Sequence, residues 1–214
     1  MYRLLIADDH PLFREAMVAV IARGLSGSET LEAPSLGATL EVIAQHDDLD
    51  LALLDLGLPD AEGLNGLARL RQAAPWLPVV IVSAEQHKQT ILEALSLGAV
   101  GYIPKSTPRD ALLAALRQIL AGQVYLPPDI MRAGGHPAGA TPAAEPSSLA
   151  TLTDKQREVL AHMVKGESNK MIAYRLDIAE TTVKTHVSAI LRKLRVSSRV
   201  QAILLASERD DVTR

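Results

Sequence analysis

Residues 51–56 read LALLDL, apolar at every position but one, the carboxylate Asp55. A strand with one wet face alternates apolar and polar residues. A continuous run is buried on both faces, as strands of parallel sheets are. Working outward, similar runs stand at RLLIA (3–7), SETLEA (28–33), PVVIVS (78–83) and VGYI (100–103). Helical patterns fill the gaps, at about 11–24, 35–46, 64–74, 86–97 and 108–122. Strands alternating with helices predict a parallel sheet covered on both sides.

Five such units in this length give the α/β doubly wound, flavodoxin-like form. No G-x-G-x-x-G follows the first strand, which removes the dinucleotide-binding fingerprint. Beyond residue 150 no strand pattern appears, and an all-α four-helix domain is predicted, with helices at about 153–165, 168–176, 180–194 and 197–207. Thr153 with Gln156 forms a capping box for the first, and Ser168 and Ser197 are N-caps for the second and fourth. Between the domains, residues 131–150 include AGGHPAGATPAAEPSSLA (133–150), too poor in large apolar side chains to offset its ordering entropy. The division is therefore 1–130, a flexible linker at 131–150, and 151–214.

The net charge of −3 conceals a split. Residues 1–130 carry 9 Lys/Arg against 16 Asp/Glu, and residues 151–214 carry 12 against 8. A basic half beside an acidic one points to nucleic acid as a partner, though scattered surface charge gives the same totals. The chain has no cysteine, which excludes disulfides and thiolate metal sites. The opening MYRLLIADDH lacks the features of a signal peptide. No apolar stretch approaches the roughly 20 residues of a membrane span. A cytoplasmic location without membrane contact is expected.

In a parallel sheet the carboxyl ends of the strands share one edge, where ligands bind. Asp8 and Asp9 end the first strand, Asp55 the third and Ser83 the fourth, and Lys105 follows the fifth. Three converging carboxylates repel one another unless a cation joins them, and oxygen-only donors suit Mg²⁺. With a hydroxyl and an ammonium added, the set suits a phosphoryl group. Singly, each residue has an ordinary explanation: a helix N-terminal charge pair, a loop aspartate, a cap, a surface lysine. Their joint placement on successive strand ends favours a site.

The segments LLIADDHPLFRE, LLDLGLPDAEGL, VVIVSA and GAVGYIPKS resemble the signatures of response-regulator receiver domains, over residues 2–122. The resemblance implies that Asp55 is the phosphoacceptor. It also implies Mg²⁺ bound by Asp9, Asp55, the carbonyl of Gly57 and, through water, Asp8. Ser83 and Lys105 would contact the phosphoryl group, with Ser83 and Tyr102 as the switch pair. Two features depart from the usual pattern: proline precedes the lysine (Pro104) and Ser106 follows it, and Gly57 replaces larger side chains.

In AETTVKTHVSAILRKLRV, Val183, Val187, Ile190, Leu191 and Leu194 form one helical stripe. Thr181, Thr185, Ser188 and Arg192 lie opposite, with Lys184 beside them. That is the face of a groove-reading helix or of an ordinary amphipathic one. LTDKQREVL, GESNKMIAYRL and DIAETTVKTHVSAILRKL resemble the LuxR-type helix-turn-helix of NarL/FixJ-type response regulators, over residues 150–206. The resemblance implies base-edge contacts by Lys184, Thr185 and Ser188, where a basic residue is common in place of Ser188. It implies backbone contacts by Asn169, Lys170, Thr182, His186, Arg192 and Lys193, and an internal, module-holding role for Glu158. It further implies promoter DNA, a sensor histidine kinase and RNA polymerase as partners, and a homodimer when active. QVYLPPDI and the GESNK–SAILRKL stretch are similar to regulators of alcohol or glycerol oxidation genes. Two alternatives stand beside this regulator. A dehalogenase-like phosphatase would need D-x-D after the first strand, whereas residues 55–57 read Asp-Leu-Gly after the third, so no enzyme is expected. An orphan regulator controlled without phosphate would not require the intact Asp9, Asp55, Ser83 and Lys105.

Overall fold

The computed structural model of the chain describes residues 2–127, 130, 149–196 and 199–210. The proposed linker at 131–150, apart from its last two residues, and the Ser197 cap lie outside them. Five strands form one parallel sheet in the order β2-β1-β3-β4-β5. They are β1 (Arg3–Ala7), β2 (Glu29–Ala33), β3 (Leu51–Leu54), β4 (Val79–Ser83) and β5 (Gly101–Pro104). The helices between and after them are α1 (Pro11–Gly24), α2 (Leu36–Gln45), α3 (Asn65–Ala73), α4 (Lys88–Ser96) and α5 (Arg109–Leu120). This is the doubly wound order whose topological reversal, at β1 and β3, opens a crevice at the carboxyl edge.

The strand period of two splits the apolar runs between two cores. Leu5, Ala7, Ala52, Leu54, Val79 and Ile81 pack under α2, α3 and α4, with Leu36, Leu67, Leu70 and Ile91. Leu4, Ile6, Leu51, Leu53, Val80 and Val82 pack under α1 and α5, with Met17, Ile21, Leu112 and Leu116. Edge strand β2 is only partly buried, which is why it tolerates the polar ETLEA. β3 ends at Leu54 rather than Leu56, so Asp55 stands just outside the ladder.

The C-terminal helices are α6 (Asp154–Val164), α7 (Asn169–Leu176), α8 (Glu180–Leu194) and α9 (Arg199–Asp210). The Thr153–Gln156 capping box is formed in both directions, and the Ser168 side chain caps α7. The stripe of α8 is buried with Val159, Leu160, Met163, Ile172 and Ala202 in a third core. Glu158 does not hold this module together: it is exposed and pairs with Lys155 on its own helix. That role belongs to Glu167, which bonds His162 at 2.8 Å and Arg175 at 2.9 Å. Gln156 adds to it, taking Lys193 Nζ at 2.8 Å. Residue 158 points outward because Gln156, Val159 and Leu160 occupy the inner face of α6. Among the described residues no helix is long and apolar enough to cross a membrane.

Candidate functional site

Asp8 leaves β1, Asp55 leaves β3 and Lys105 leaves β5, all at the carboxyl edge, and Ser83 closes β4. The backbone continues the sheet's bonding through these residues: Asp55 N–H donates to Ala7 O at 2.9 Å and Lys105 N–H to Ser83 O at 2.8 Å. The described peptide bonds are trans, so the Pro104–Lys105–Ser106 order is accommodated without a cis turn.

Asp8 and Asp55 are almost wholly buried, and the Lys105 ammonium lies 2.7 Å from Asp8 Oδ2 and 2.7 Å from Asp55 Oδ2. It also stands 4.7 Å above the Phe13 ring. Burial works against the charged Lys105, but the hydrogen bonds and charges of Asp55 and Asp8 outweigh it and hold its pKa above the ordinary lysine value. Asp9 is one-third exposed beside them. Ligand atoms of Asp8, Asp9, His10 and Asp55 all lie within 4.8 Å of one another. An added Cβ on Gly57 would stand 3.2 Å from Asp55 Oδ2, so the absent side chain leaves the Gly57 side of that oxygen uncrowded.

Ser83 is buried, its Oγ accepting the Glu85 N–H at 3.2 Å. Tyr102 is fully buried and donates its hydroxyl to Glu85 O at 2.7 Å. Burial is the main cause raising its pKa. Ser83 and Tyr102 thus meet on one loop, the segment that follows β4.

On α8, Thr181, Thr182, Thr185 and Arg192 are exposed, and His186 and Ser188 are half-buried. Lys184 is buried, contrary to its place on the polar face of the wheel. It is covered by the N-terminal domain: its ammonium donates to Asp47 O and stands 4.6 Å over the Trp76 ring. A cleft of about 370 Å³ separates Asp47 and Trp76 from Thr181, Thr185, Ser188 and Arg192. Arg71 shapes the loop carrying Trp76, donating to Pro75 O and Leu77 O at 2.7 Å each, and burial lowers its pKa to about 10. Elsewhere between the domains, Gln201 Nε2 donates to Ser96 O at 3.0 Å, and Gly122 lies so close to Gly166 that an added Cβ would stand 2.2 Å from its carbonyl oxygen. Two further residues expected at DNA have partners inside their own domain. Lys193 donates to Thr151 O at 2.9 Å as well as to Gln156, and Asn169 Oδ1 accepts Arg199 Nη1 at 2.9 Å. Lys170 is exposed.

Three residues of these sites were not singled out from the sequence. His10 adjoins the two aspartates, and the tripeptide Asp-Asp-His carried that signal. Trp76 and Asp47 lie 108 and 137 residues from Lys184, and no local pattern links them.

The family of response regulator receiver domains matches residues 4–117, and the bacterial regulatory proteins of the luxR family match residues 150–206. A glycerol metabolism activator of Pseudomonas putida is 58% identical over 98% of this chain and 97% of its own. The nitrate/nitrite response regulator protein NarL of Escherichia coli K12 is 35% identical over 93% and 92%. A two-component response regulator of the LuxR family from Aurantimonas sp. SI85-9A1 has a solved structure with a TM-score of 0.56 and 30% identity, over 61% of this chain and 92% of that one. Fold and site thus define a receiver joined to a DNA-binding module. The chain belongs to the response regulators that carry a LuxR-type helix-turn-helix, a family of transcriptional regulators.

Proposed function

We propose that the chain is a transcription factor of the cytoplasm, switched when a sensor histidine kinase phosphorylates Asp55. The observation that carries this reading is the buried Asp55 held 2.7 Å from Lys105, in a chain whose recognition-helix Lys184 is held by the same receiver. The phosphoryl group leaves the kinase histidine nitrogen, and a P–O bond forms at a carboxylate oxygen of Asp55.

The donor set fits Mg²⁺. Three carboxylates converge, one ammonium compensates only part of their charge, and Asp9 Oδ1 is buried against the His10 ring with no directed hydrogen bond among the described residues. Asp9, Asp55 and the Gly57 carbonyl would hold the ion, with Asp8 through water, and it would neutralise charge on the transferring group. The new phosphoryl charge draws Ser83 and Lys105 to it, and Tyr102 follows through the shared Glu85 loop.

The DNA site is read as Lys184, Thr185 and Ser188 toward base edges, with Asn169, Lys170, Thr182, His186 and Arg192 toward the backbone. Lys193 is the weakest of that set, because its ammonium is engaged within the module. While Lys184 rests on Trp76 and Asp47 it cannot also enter a groove, so closed and DNA-bound forms exclude one another. The chain divides at 1–130, 131–150 and 151–214. The active form is a homodimer that engages RNA polymerase at its promoters. The 58% identical relative named for glycerol metabolism supports genes of that metabolism as targets.

Treating the protein with a small-molecule phosphoryl donor and Mg²⁺, with Asp55→Ala as control, tests the proposal. Tighter promoter binding and a new oligomer state are expected for the wild type alone. Unchanged affinity in a stoichiometrically phosphorylated protein favours the phosphate-independent alternative.

A further inference from the structure

We propose that His10 is itself a ligand of the divalent cation in the acidic pocket, adding a nitrogen donor that shifts the pocket's preference from Mg²⁺ toward Mn²⁺. The inference rests on the reading of Asp9 and Asp55 as cation-binding carboxylates and goes beyond it in naming a fourth side chain and a metal preference.

His10 is the turn residue between β1 and α1, with extended backbone angles. Its N–H donates to Asp8 Oδ1 at 2.9 Å, which fixes the turn and directs the ring back over the strand ends. Nδ1 then lies 3.2 Å from Asp8 Oδ1 and 2.6 Å from Asp9 Oδ1. The nearer of these oxygens is buried and takes no properly directed hydrogen bond. Nδ1 is also within hydrogen-bond distance of Asp8 Oδ1, so the ring is held among the carboxylates, and with its proton on Nε2 the Nδ1 lone pair can join Asp9 Oδ1 on a cation. The common 4.8 Å envelope of the four ligand atoms suits a six-coordinate ion with bonds of about 2.0–2.1 Å after small side-chain movements. The ring is 65% exposed, so it can make them without disturbing either core.

The chemistry follows from donor softness. Carboxylate, carbonyl and water donors suit Mg²⁺, which sheds water reluctantly. An imidazole nitrogen raises affinity along the series that starts at Mn²⁺. A purely structural histidine would instead donate to Asp8 or Asp9 from outside the ion's shell and serve every cation alike.

The test uses the full-length protein, Mn²⁺ and Mg²⁺, and the variant His10→Gln, whose exposed position leaves folding intact. Electron paramagnetic resonance of bound Mn²⁺ should show hyperfine coupling to an imidazole nitrogen, absent in the variant. Mn²⁺ affinity should fall at least about tenfold in the variant, while Mg²⁺ affinity changes less than about twofold. Lack of nitrogen coupling in the wild type, or equal losses for both ions, overturns the proposal and leaves the carboxylate site standing. If wild type binds neither ion saturably, and Asp9→Asn changes nothing, the cation site itself fails and the proposal with it.

Discussion

Replacing Trp76 by leucine should release the DNA-binding face without any phosphorylation. The Lys184 ammonium sits 4.6 Å from the centre of the Trp76 ring and is only 5% exposed. A cation over an indole face contributes about 0.5–1 kcal/mol at open sites and about 2 kcal/mol where water is excluded. The burial of Lys184 places this contact in the upper part of that range, at about 1–2 kcal/mol. Its loss shifts the ratio of closed to open forms by about 5- to 30-fold, at 1.4 kcal/mol per factor of ten. Leucine keeps the apolar packing that Trp76 makes against the core beneath α3, so the receiver stays folded. Fluorescence anisotropy with labelled promoter DNA at fixed salt reads the effect, since salt alone moves such affinities strongly. Affinity of the unphosphorylated Trp76→Leu protein should rise by that factor. An affinity equal to wild type, in a variant with unaltered circular dichroism, would refute the idea that this contact holds the face closed.

Lys105→Gln removes the cation that bridges Asp8 and Asp55, and isothermal titration should show Mg²⁺ binding roughly tenfold tighter, since one competing charge is lost beside the shared oxygen. The same variant should lose the phosphorylation-dependent gain in DNA affinity. Gly122→Ala places a methyl group 2.2 Å from Gly166 O, at a residue with φ +87°, and small-angle scattering should report a more extended protein with higher basal DNA affinity. Asp60 accepts the N–H groups of Gly37 and Leu36 at 2.7 Å each, and these bonds hold its pKa below the ordinary carboxylate value. Its cap on α2 is therefore complete above that ordinary value and is lost as pH falls through the lowered one. Amide exchange at Leu36 and Gly37 should accelerate over that acid window, and Asp60→Asn should abolish the pH dependence.

The receiver was legible because both of its periods are strong. Short runs such as LALLDL, alternating with helical patterns, read as doubly buried strands, and the carboxyl edge then collects Asp8, Asp55, Ser83 and Lys105 by topology. The stripe on α8 was legible for the same reason. What escaped was tertiary. Lys184 reads as a solvated lysine on a helical wheel, and only the approach of Trp76 and Asp47 from the other domain buries it. Glu158 and Glu167 look alike in sequence, yet the turn at Gly166 directs Glu167 inward between His162 and Arg175. Lys193 is expected at the DNA backbone from the resemblance, although its ammonium lies within reach of the Thr151 carbonyl just before α6. Such choices depend on distances between helices, which no local pattern encodes.

Trp76 is the only tryptophan in the chain, and it lies on the contact that phosphorylation of Asp55 is held to break. Its fluorescence quenching by a soluble quencher, measured before and after phosphorylation in wild type and in Asp55→Ala, reports that event directly. The account predicts a marked rise in quenching for phosphorylated wild type, in step with DNA affinity, and no change in Asp55→Ala. Contradiction would come from tightened DNA binding with Trp76 quenching unaltered, because the recognition helix would then have been free before the phosphate arrived.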